Sequence, residues 1–381
     1  MSMLLNEEQR MLEESASDFF SSRVEIGALR ALRDDGPETG FDPSLWAEIV
    51  ELGWTAIPWP EAYGGLDFGY KGLGVVSRAA GRRLAVSPLF ASVWFGGTLV
   101  NLAGNELQKQ EWLPAVAAGE LRLAVALEER AHHAPHHVTT TATRQGSRFL
   151  LNGRKTFVLD GASADQLIVV ARTAGEFDEA HGISLFVIDR DAPGVTVTPV
   201  LLADSQRAAN IRFENAEVHE DAILAELGEG APALDAALDI ARIGLAAEML
   251  GSLEECFERT VAYLKEREQF GAPIGSFQGL RHRAAQLYCE MELSRSVVLE
   301  ALTALDEHRD GAEIARLASL AKCQVGEAFN RIAREGVQMH GGIGMTDEFD
   351  IGFFLKRSGV AEATLGNHDY HRDRFGALEG C

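Results

Sequence analysis

The stretch REQFGAPIGSFQGLRHRAAQLYCEMELSR (267–295) joins two long segments with helical periodicity. The first covers Ala236 to Glu266 and the second Gly279 to Asp306, and the loop GAPIGSF (271–277) separates them. In both segments apolar residues recur at the spacing of one α-helical face. Two helices of this length, joined by so short a loop, are predicted to pack side by side as neighbours in a bundle.

Helical periodicity continues beyond this pair. A third helix is predicted over residues 313–340, a Gly-rich turn HGGIGMT (340–346) follows it, and a last helical segment covers about 350–363. Residues 229–381 are therefore predicted to form a C-terminal four-helix bundle.

Upstream of the bundle, the apolar residues follow a different period. From Leu123 to about Ile223, short β-rich runs such as QLIVVART (166–173) and ISLFVID (183–189) alternate with turns. Asn152-Gly153 lies between two such runs and is predicted to form a hairpin turn. Short strands at this spacing predict a β-barrel or sandwich domain over residues 123–228.

Residues 1–122 mostly show helical patterns, beginning with a helix that Asn6 is predicted to cap. The predicted fold class is therefore α+β. It comprises an N-terminal all-α domain, a central β domain and a C-terminal helical bundle.

Composition narrows the class of protein. The 381 residues suffice for two or three domains, and 46% hydrophobic with 24% charged residues is ordinary for a globular protein. A formal net charge of −22 argues against nucleic acid as a partner. No apolar run reaches about 18 residues, so we expect no membrane span. Four cysteines without metal-type spacing and a start without a signal-peptide pattern favour the cytoplasm.

One carboxylate stands out in the apolar segment AALDIARIGLAAEMLG (236–251). The small residues Ala237, Ala241, Gly244 and Gly251 share a helical stripe with Glu248. Such a stripe lets another group approach the helix closely. A poorly solvated carboxylate on it can act as a general base. The alternatives are a glutamate paired with an arginine elsewhere in the chain, or one exposed at the helix edge.

Two motifs carry a resemblance to a known family. REQFGAPIGSFQGLRHRAAQLYCEMELSR (267–295) and VQMHGGIGMTDEF (337–349) resemble the two signatures of the acyl-CoA dehydrogenases. The resemblance extends over nearly the whole chain, including PEAYGG (60–65) and LNGRKTFVLDGASAD (151–165). It implies FAD as the cofactor and removal of two hydrogens from C2 and C3 of an acyl-CoA. It also implies electron transfer to an electron-transfer flavoprotein and assembly into oligomers.

The resemblance also assigns residues. It implies contacts with the FAD of a neighbouring subunit for Arg267, Phe270, Gln278, Gln338, Gly341, Gly342 and Gly344. Asp239 and Arg242 match positions that line the pantetheine channel of the substrate. Without the resemblance, they are an ordinary helical pair three residues apart.

Three departures from the family pattern bear on catalysis. Leu365 stands where many members carry their base, and Ala241 stands where a minority carry it. Neither side chain can abstract a proton. In the middle domain, Leu127 replaces a flavin-facing threonine, and Phe157-Val158-Leu159 replaces a Trp-x-Thr run. Phe157 can still stack on the flavin ring.

Glu248 is the remaining candidate base, because RIGLAAEMLG resembles a bacterial subset in which this glutamate has that role. The predicted reaction is C2–C3 desaturation of an acyl-CoA. Leu365 and the small stripe near Ala241 remove two usual carboxylates of the family and are expected to widen the cleft, which suggests a bulky or branched acyl group.

Two other functions remain open. A degraded middle-domain pocket beside an intact Arg267 and Gln338 fits a partner subunit that completes the FAD site of an unlike chain in an α2β2 assembly. The alternative assembly is a homo-oligomer with its own flavin in each chain. The second open function is that of a flavin monooxygenase of the same family.

The run HHAPHH (132–137) contains His132, His133, His136 and His137. Its short span and Pro135 make convergent metal ligation difficult. We expect a solvated or substrate-facing loop and no metal.

Overall fold

The computed structural model describes residues 5–37 and 39–381, so the first four residues of the predicted N-terminal domain lie outside it. The helices are α1 (Glu7–Arg23), α2 (Leu29–Asp35), α3 (Pro43–Glu51), α4 (Gly69–Arg82), α5 (Thr98–Ala103), α6 (Glu106–Ala117), α7 (Ala231–Glu266), α8 (Gln278–Asp306), α9 (Gly311–His340), α10 (Ile351–Ala363) and α11 (His368–Leu378). The strands are β1 (Leu123–Ala126), β2 (Thr141–Gln145), β3 (Arg148–Leu159), β4 (Gln166–Arg172), β5 (Ile183–Asp189), β6 (Val195–Leu201), β7 (Arg207–His219), β8 (Ile223–Leu224), β9 (Glu268–Gln269) and β10 (Ala272–Pro273).

Contacts within the chain define two compact units. One consists of the described residues up to Arg30 together with Tyr70–Ala85 and Arg242–Cys381. The other consists of Ala31–Gly69 and Val86–Ala241. Strands begin at Leu123 and the long helices at Ala231. Among the described residues, no helix is long and apolar enough to cross a bilayer.

The strands of the second unit form one mixed sheet in the order β6-β7-β3-β2-β4-β5-β8, with β1 parallel to β4. Its core consists of alternate, fully buried side chains such as Phe149, Leu167, Phe186 and Ile211. The alternation follows from the two-residue period of a strand.

The hairpin turn predicted at Asn152-Gly153 is wrong, because β3 runs through both residues. The turn lies at Gly146-Ser147, where Gln145 pairs with Arg148. Gly153 serves close packing instead, since a Cβ there would come within 2.5 Å of Thr140 Oγ1. Gly-Ser is itself a two-residue turn signal.

The helix caps in the first unit follow the sequence. Asn6 caps α1 by accepting a hydrogen bond from the backbone N–H of Gln9, and the Gln9 side chain accepts one from the Asn6 N–H in return. This capping box satisfies two backbone donors at the helix start. Helix α11 was not predicted, and the GAPIGSF loop contains part of a short β9–β10 hairpin and a 3-10 turn.

The small-residue stripe of α7 packs against α4 in its C-terminal half. A Cβ on Gly251 would lie 1.9 Å from the carbonyl oxygen of Arg78, and a Cβ on Gly81 would lie 2.0 Å from that of Glu248. The Ser252 hydroxyl donates to the Gly81 carbonyl at 2.9 Å. The group that approaches this part of the stripe is therefore a helix backbone of the same chain and not a ligand.

Replacing Gly251 with alanine should destabilise the protein by about 1–3 kcal/mol or more, because a methyl group must displace the α4 backbone. Gly359 provides a matched control, since it is a helical glycine in α10 with open space around its missing Cβ. Alanine there should stabilise by about 0.5–1 kcal/mol. Denaturant unfolding of both variants measures the difference, and equal midpoints would contradict the packing argument.

Candidate active site

Glu248 forms an ion pair with Arg357 of α10. The Arg357 Nη2 donates to Glu248 Oε1 at 2.6 Å and its Nε donates to the same oxygen at 3.1 Å. Both side chains are largely buried, with 16% of Glu248 and 9% of Arg357 exposed. The sequence left open that an arginine elsewhere pairs with this glutamate, and the structure identifies that arginine. Pairing with a guanidinium stabilises the ionised carboxylate.

A buried lysine lies close to this pair. Lys322 of α9 donates from Nζ to the carbonyl oxygens of Ala361 at 2.7 Å and Glu362 at 3.3 Å. These carbonyls belong to the last turn of α10, which lacks helical partners for them. Burial lowers the pKa of Lys322 to about 7, although the Glu362 carboxylate opposes the shift.

Leu365, which the resemblance places at the family's usual base position, has a left-handed backbone with a φ of 56°. Its carbonyl oxygen accepts hydrogen bonds from Arg242 Nε at 3.2 Å and from His371 Nε2 at 3.0 Å. The Arg242 guanidinium also lies over the ring of Tyr370, 5.6 Å from its centroid. The backbone carbonyl of Leu365 thus binds Arg242, although the Leu365 side chain has no carboxylate. Ala241 is fully buried.

Asp239, the other residue assigned to the pantetheine channel, lies on the same helix, in the second unit. It is 5% exposed.

The residues assigned to a neighbour's FAD lie on exposed surface of the first unit. Arg267 follows the end of α7, Gln278 begins α8 and Gln338 lies in the last turn of α9, and all three are exposed. Phe270 is 94% exposed and packs edge-on against Phe277.

The turn Gly341–Met345 follows α9 on this surface. The positions of a Cβ on Gly341 and on Gly342 have no neighbour within 4 Å, whereas Gly344 is buried. This turn therefore leaves two glycine backbones open to a ligand or another chain.

In the second unit, Phe157 lies in a bulge of β3, where the register with β7 shifts between Lys155 and Val158. Phe157 has a left-handed φ of 53°. The bulge is held by a hydrogen bond from the Thr156 N–H to the Glu128 carbonyl at 2.7 Å. Leu127, which precedes Glu128, is 3% exposed.

Carboxylates anchor the HHAPHH run (132–137) at two points, and a third carboxylate just before it pairs with a lysine. His133 Nδ1 lies 2.5 Å from Glu128 Oε1, and His136 Nε2 lies 3.0 Å from Asp235 Oδ1. Glu129 pairs at 2.7 Å with Lys155, which is fully buried. Burial opposes ionisation of Glu129, but the Lys155 ammonium outweighs it and lowers the pKa of Glu129 to about 2.

The other two histidines of the run have different surroundings. His137 packs edge-on against Phe177, and His132 is exposed. Nowhere in residues 5–37 and 39–381 do three or more potential ligands converge on a metal site.

Comparison with known proteins identifies the family. The acyl-CoA dehydrogenase N-terminal, middle and C-terminal domain families match residues 6–120, 127–216 and 228–377. An acyl-CoA dehydrogenase of Bacillus subtilis (strain 168) is 31% identical over 381 residues, or 97% of each chain. The chain belongs to the acyl-CoA dehydrogenase family.

Solved structures agree with this assignment. The Tcur3481-Tcur3483 steroid ACAD is 30% identical with a TM-score of 0.87, over 98% of both chains. The ChsE4-ChsE5 complex from Mycobacterium tuberculosis is 25% identical with a TM-score of 0.89, over 100% of this chain and 99% of the other. The predicted fold class and family resemblance are confirmed. The protein is an oxidoreductase that dehydrogenates an acyl-CoA with FAD.

The two units of this acyl-CoA dehydrogenase fit FAD unequally. Arg267, with a guanidinium suited to a pyrophosphate, and the amides of Gln278 and Gln338 are exposed donors. By contrast, Leu127 and Leu159 offer no side-chain donor to a flavin ring. The exposed donors of the first unit therefore fit the cofactor by their chemistry, whereas the second unit carries the aromatic side chain of Phe157 in its β3 bulge.

Sequence reasoning missed several residues of the site. Arg357 and Lys322 lie 109 and 74 positions beyond Glu248, so no local pattern connects them. Lys322 did carry a signal, because it shares a helical stripe with the buried residues Ala315, Ala318 and Val325.

Proposed function

We propose that this protein desaturates a CoA thioester between C2 and C3, with Glu248 as the base that removes the C2 proton. The observation that carries the assignment is a largely buried carboxylate on α7 in a chain whose two usual base positions hold Leu365 and Ala241. Glu248 must be ionised before the reaction, and the guanidinium of Arg357 stabilises that form. FAD, when bound, accepts the hydride from C3.

Proton transfer to Glu248 removes the charge that pairs with Arg357. The transfer therefore breaks this ion pair, so the acyl thioester must be activated at C2. Hydrogen bonds to the thioester oxygen provide such activation in enzymes that form enolate-like transition states.

The acyl group of the substrate is proposed to be bulky or branched. Ala241 and Leu365 replace two carboxylate side chains of the family, and the smaller alanine leaves volume that a larger acyl chain can occupy. We infer that the reduced flavin passes its electrons to an electron-transfer flavoprotein.

A second candidate function is that of a partner subunit in an assembly of unlike chains. The exposed donors Arg267, Gln278 and Gln338 support it, as does the lack of side-chain donors at Leu127 and Leu159. Structural similarity to the ChsE4-ChsE5 complex agrees with this alternative. In that assembly, Glu248 provides the base of a composite site that both chains form together.

FAD content per chain of the purified protein separates the two candidates. A self-sufficient dehydrogenase should hold close to one FAD per chain, and its flavin absorbance should bleach anaerobically with one class of acyl-CoA. A panel of straight and branched acyl-CoAs tests the substrate proposal in the same cuvette. Colourless protein that gains flavin only with a second, related chain would favour the partner role. Equal bleaching by every acyl-CoA would contradict the preference for bulky groups.

A further inference from the structure

The last residue of α9, His340, is enclosed by aromatic side chains. Its ring stacks on Tyr263 of α7 with centroids 4.3 Å apart and lies 5.0 Å from the ring of Phe349. The imidazole Nδ1 lies 2.6 Å from the carbonyl oxygen of Gly336, and the Tyr263 hydroxyl donates to the His340 carbonyl at 3.3 Å. Only 4% of His340 is exposed.

The Gly341–Met345 turn is built against this histidine. Gly341 follows directly with a φ of 67°, a conformation that favours glycine. A Cβ on Gly344 would lie 3.0 Å from the His340 Cβ and 2.8 Å from the Val337 carbonyl oxygen. The turn therefore folds back and packs against His340. The position of His340 therefore fixes where the open backbones of Gly341 and Gly342 point.

The protonation state of His340 follows from its partners. Nδ1 faces a carbonyl, which can only accept, so Nδ1 carries the proton and Nε2 is the unprotonated nitrogen. Nε2 is buried and has no hydrogen-bond partner among the described residues. A second proton on the ring would place a charged N–H in an aromatic enclosure without an acceptor, which is costly.

The groups that face the ring compensate such a charge only in part. They are Tyr263 from α7, the Gly336 carbonyl from α9 and Phe349 from the segment after the turn. Burial lowers the pKa of His340, and the Gly336 carbonyl only partly opposes this shift. Among the described residues, no carboxylate contributes to it.

We propose that neutral His340 is a positioning residue that holds the Gly341–Met345 turn in the shape that binds the FAD of a neighbouring subunit, and that acidification releases this FAD. The inference rests on the proposed contact of Gly341 and Gly342 with that cofactor. It assigns a role to a side chain that does not touch the flavin itself.

The direction of the pH dependence follows from linkage. The folded-state pKa of His340 lies below the ordinary value near 6.5. His340 therefore holds the Gly341–Met345 turn above about pH 6.5, and this hold is lost as the pH falls through the folded-state value. Flavin retention should therefore weaken on the acid side only.

A pH-jump experiment on the flavin-loaded protein tests the proposal. Release of FAD is followed by its fluorescence after a jump from pH 7.5 to 5.0 in the wild type, in His340→Phe, and in His181→Gln as a control with a 70% exposed side chain. We expect release from the wild type and the control to accelerate about tenfold, which corresponds to roughly 1.4 kcal/mol of lost binding free energy. His340→Phe keeps the aromatic stack and cannot titrate, so its release rate should change less than threefold.

The outcomes separate this inference from the proposed function. Equal acid sensitivity of His340→Phe and the wild type would overturn the role of His340 while leaving the dehydrogenase intact. A wild-type protein that never binds FAD, alone or with a second chain, would overturn the cofactor contact on which the inference depends.

Tyr263→Phe covers the case in which the His340→Phe protein does not fold. It removes the bond to the His340 carbonyl but leaves the imidazole able to titrate. We expect faster flavin release at pH 7.5 together with retained acid sensitivity. Unchanged release at pH 7.5 would overturn the proposal that His340 holds the Gly341–Met345 turn.

Discussion

Replacing Glu248 with glutamine should slow the anaerobic bleaching of bound flavin by acyl-CoA about 10²- to 10⁴-fold, the range over which a general base contributes. Glutamine keeps the shape of the side chain and an oxygen that can accept from Arg357, so the ion pair becomes a hydrogen bond and the helix packing persists. The measurement is the single-turnover rate of flavin reduction, normalised to the FAD content of each variant.

Glu362 supplies a matched control for this substitution. Its side chain is 15% exposed, against 16% for Glu248, and it pairs with a cation-capable partner, His368, at 2.5 Å. Glu362→Gln should bleach within a few-fold of the wild-type rate. If Glu248→Gln also bleaches at the wild-type rate but unfolds more readily, Glu248 is a structural partner of Arg357 and another group removes the proton.

Replacing Lys322 with glutamate should destabilise the first unit by about 4 kcal/mol or more, the range reached when a buried charge loses its partners. The carboxylate would face the Ala361 and Glu362 carbonyls, which then lack a donor. Lys322→Met removes the charge as well as the donor, and should cost about 1–3 kcal/mol for the carbonyls left unsatisfied. Chemical denaturation measures both.

The pH dependence of the same variants gives a second check. The pKa of Lys322 is about 7 when folded and about 10.5 when unfolded, so between these values the unfolded chain binds the extra proton. The free energy of unfolding contributed by Lys322 should rise with pH by up to about 1.4 kcal/mol per unit across this window. The gap between the wild type and Lys322→Met should therefore widen in favour of the wild type from pH 7 to 9. A gap that does not change with pH would show that the lysine is solvated.

Long periodic helices were predictable from the sequence because their signal is repeated many times. The pattern over 279–306 matches α8 to within one residue, and that over 313–340 matches α9 to within two. Asn152-Gly153 failed because its turn signal is local, whereas the need for glycine there comes from Thr140, which approaches in the folded sheet.

The candidate site was predictable only in part. A small-residue stripe indicates a close approach, but it does not identify what approaches, and the structure puts the α4 backbone there. The sequence shows that Leu365 is no base. It does not show that the Leu365 carbonyl binds Arg242, because this bond depends on a left-handed backbone at one position. The near-complete exposure of Phe270 does not follow from its apolar side chain, and only the family resemblance pointed to a surface position.

The contact between α4 and α7 has a consequence for how the chain is made. Ser252 and Gly81 are 171 residues apart in sequence, so α4 leaves the ribosome long before the helix that covers its glycine face. At a synthesis rate of about 5–20 residues per second, this face waits roughly 10–30 s for its partner. During that interval α4 lacks the α7 helix that packs against it. Its exposed face is then covered only by chaperones or by transient contacts within the nascent chain.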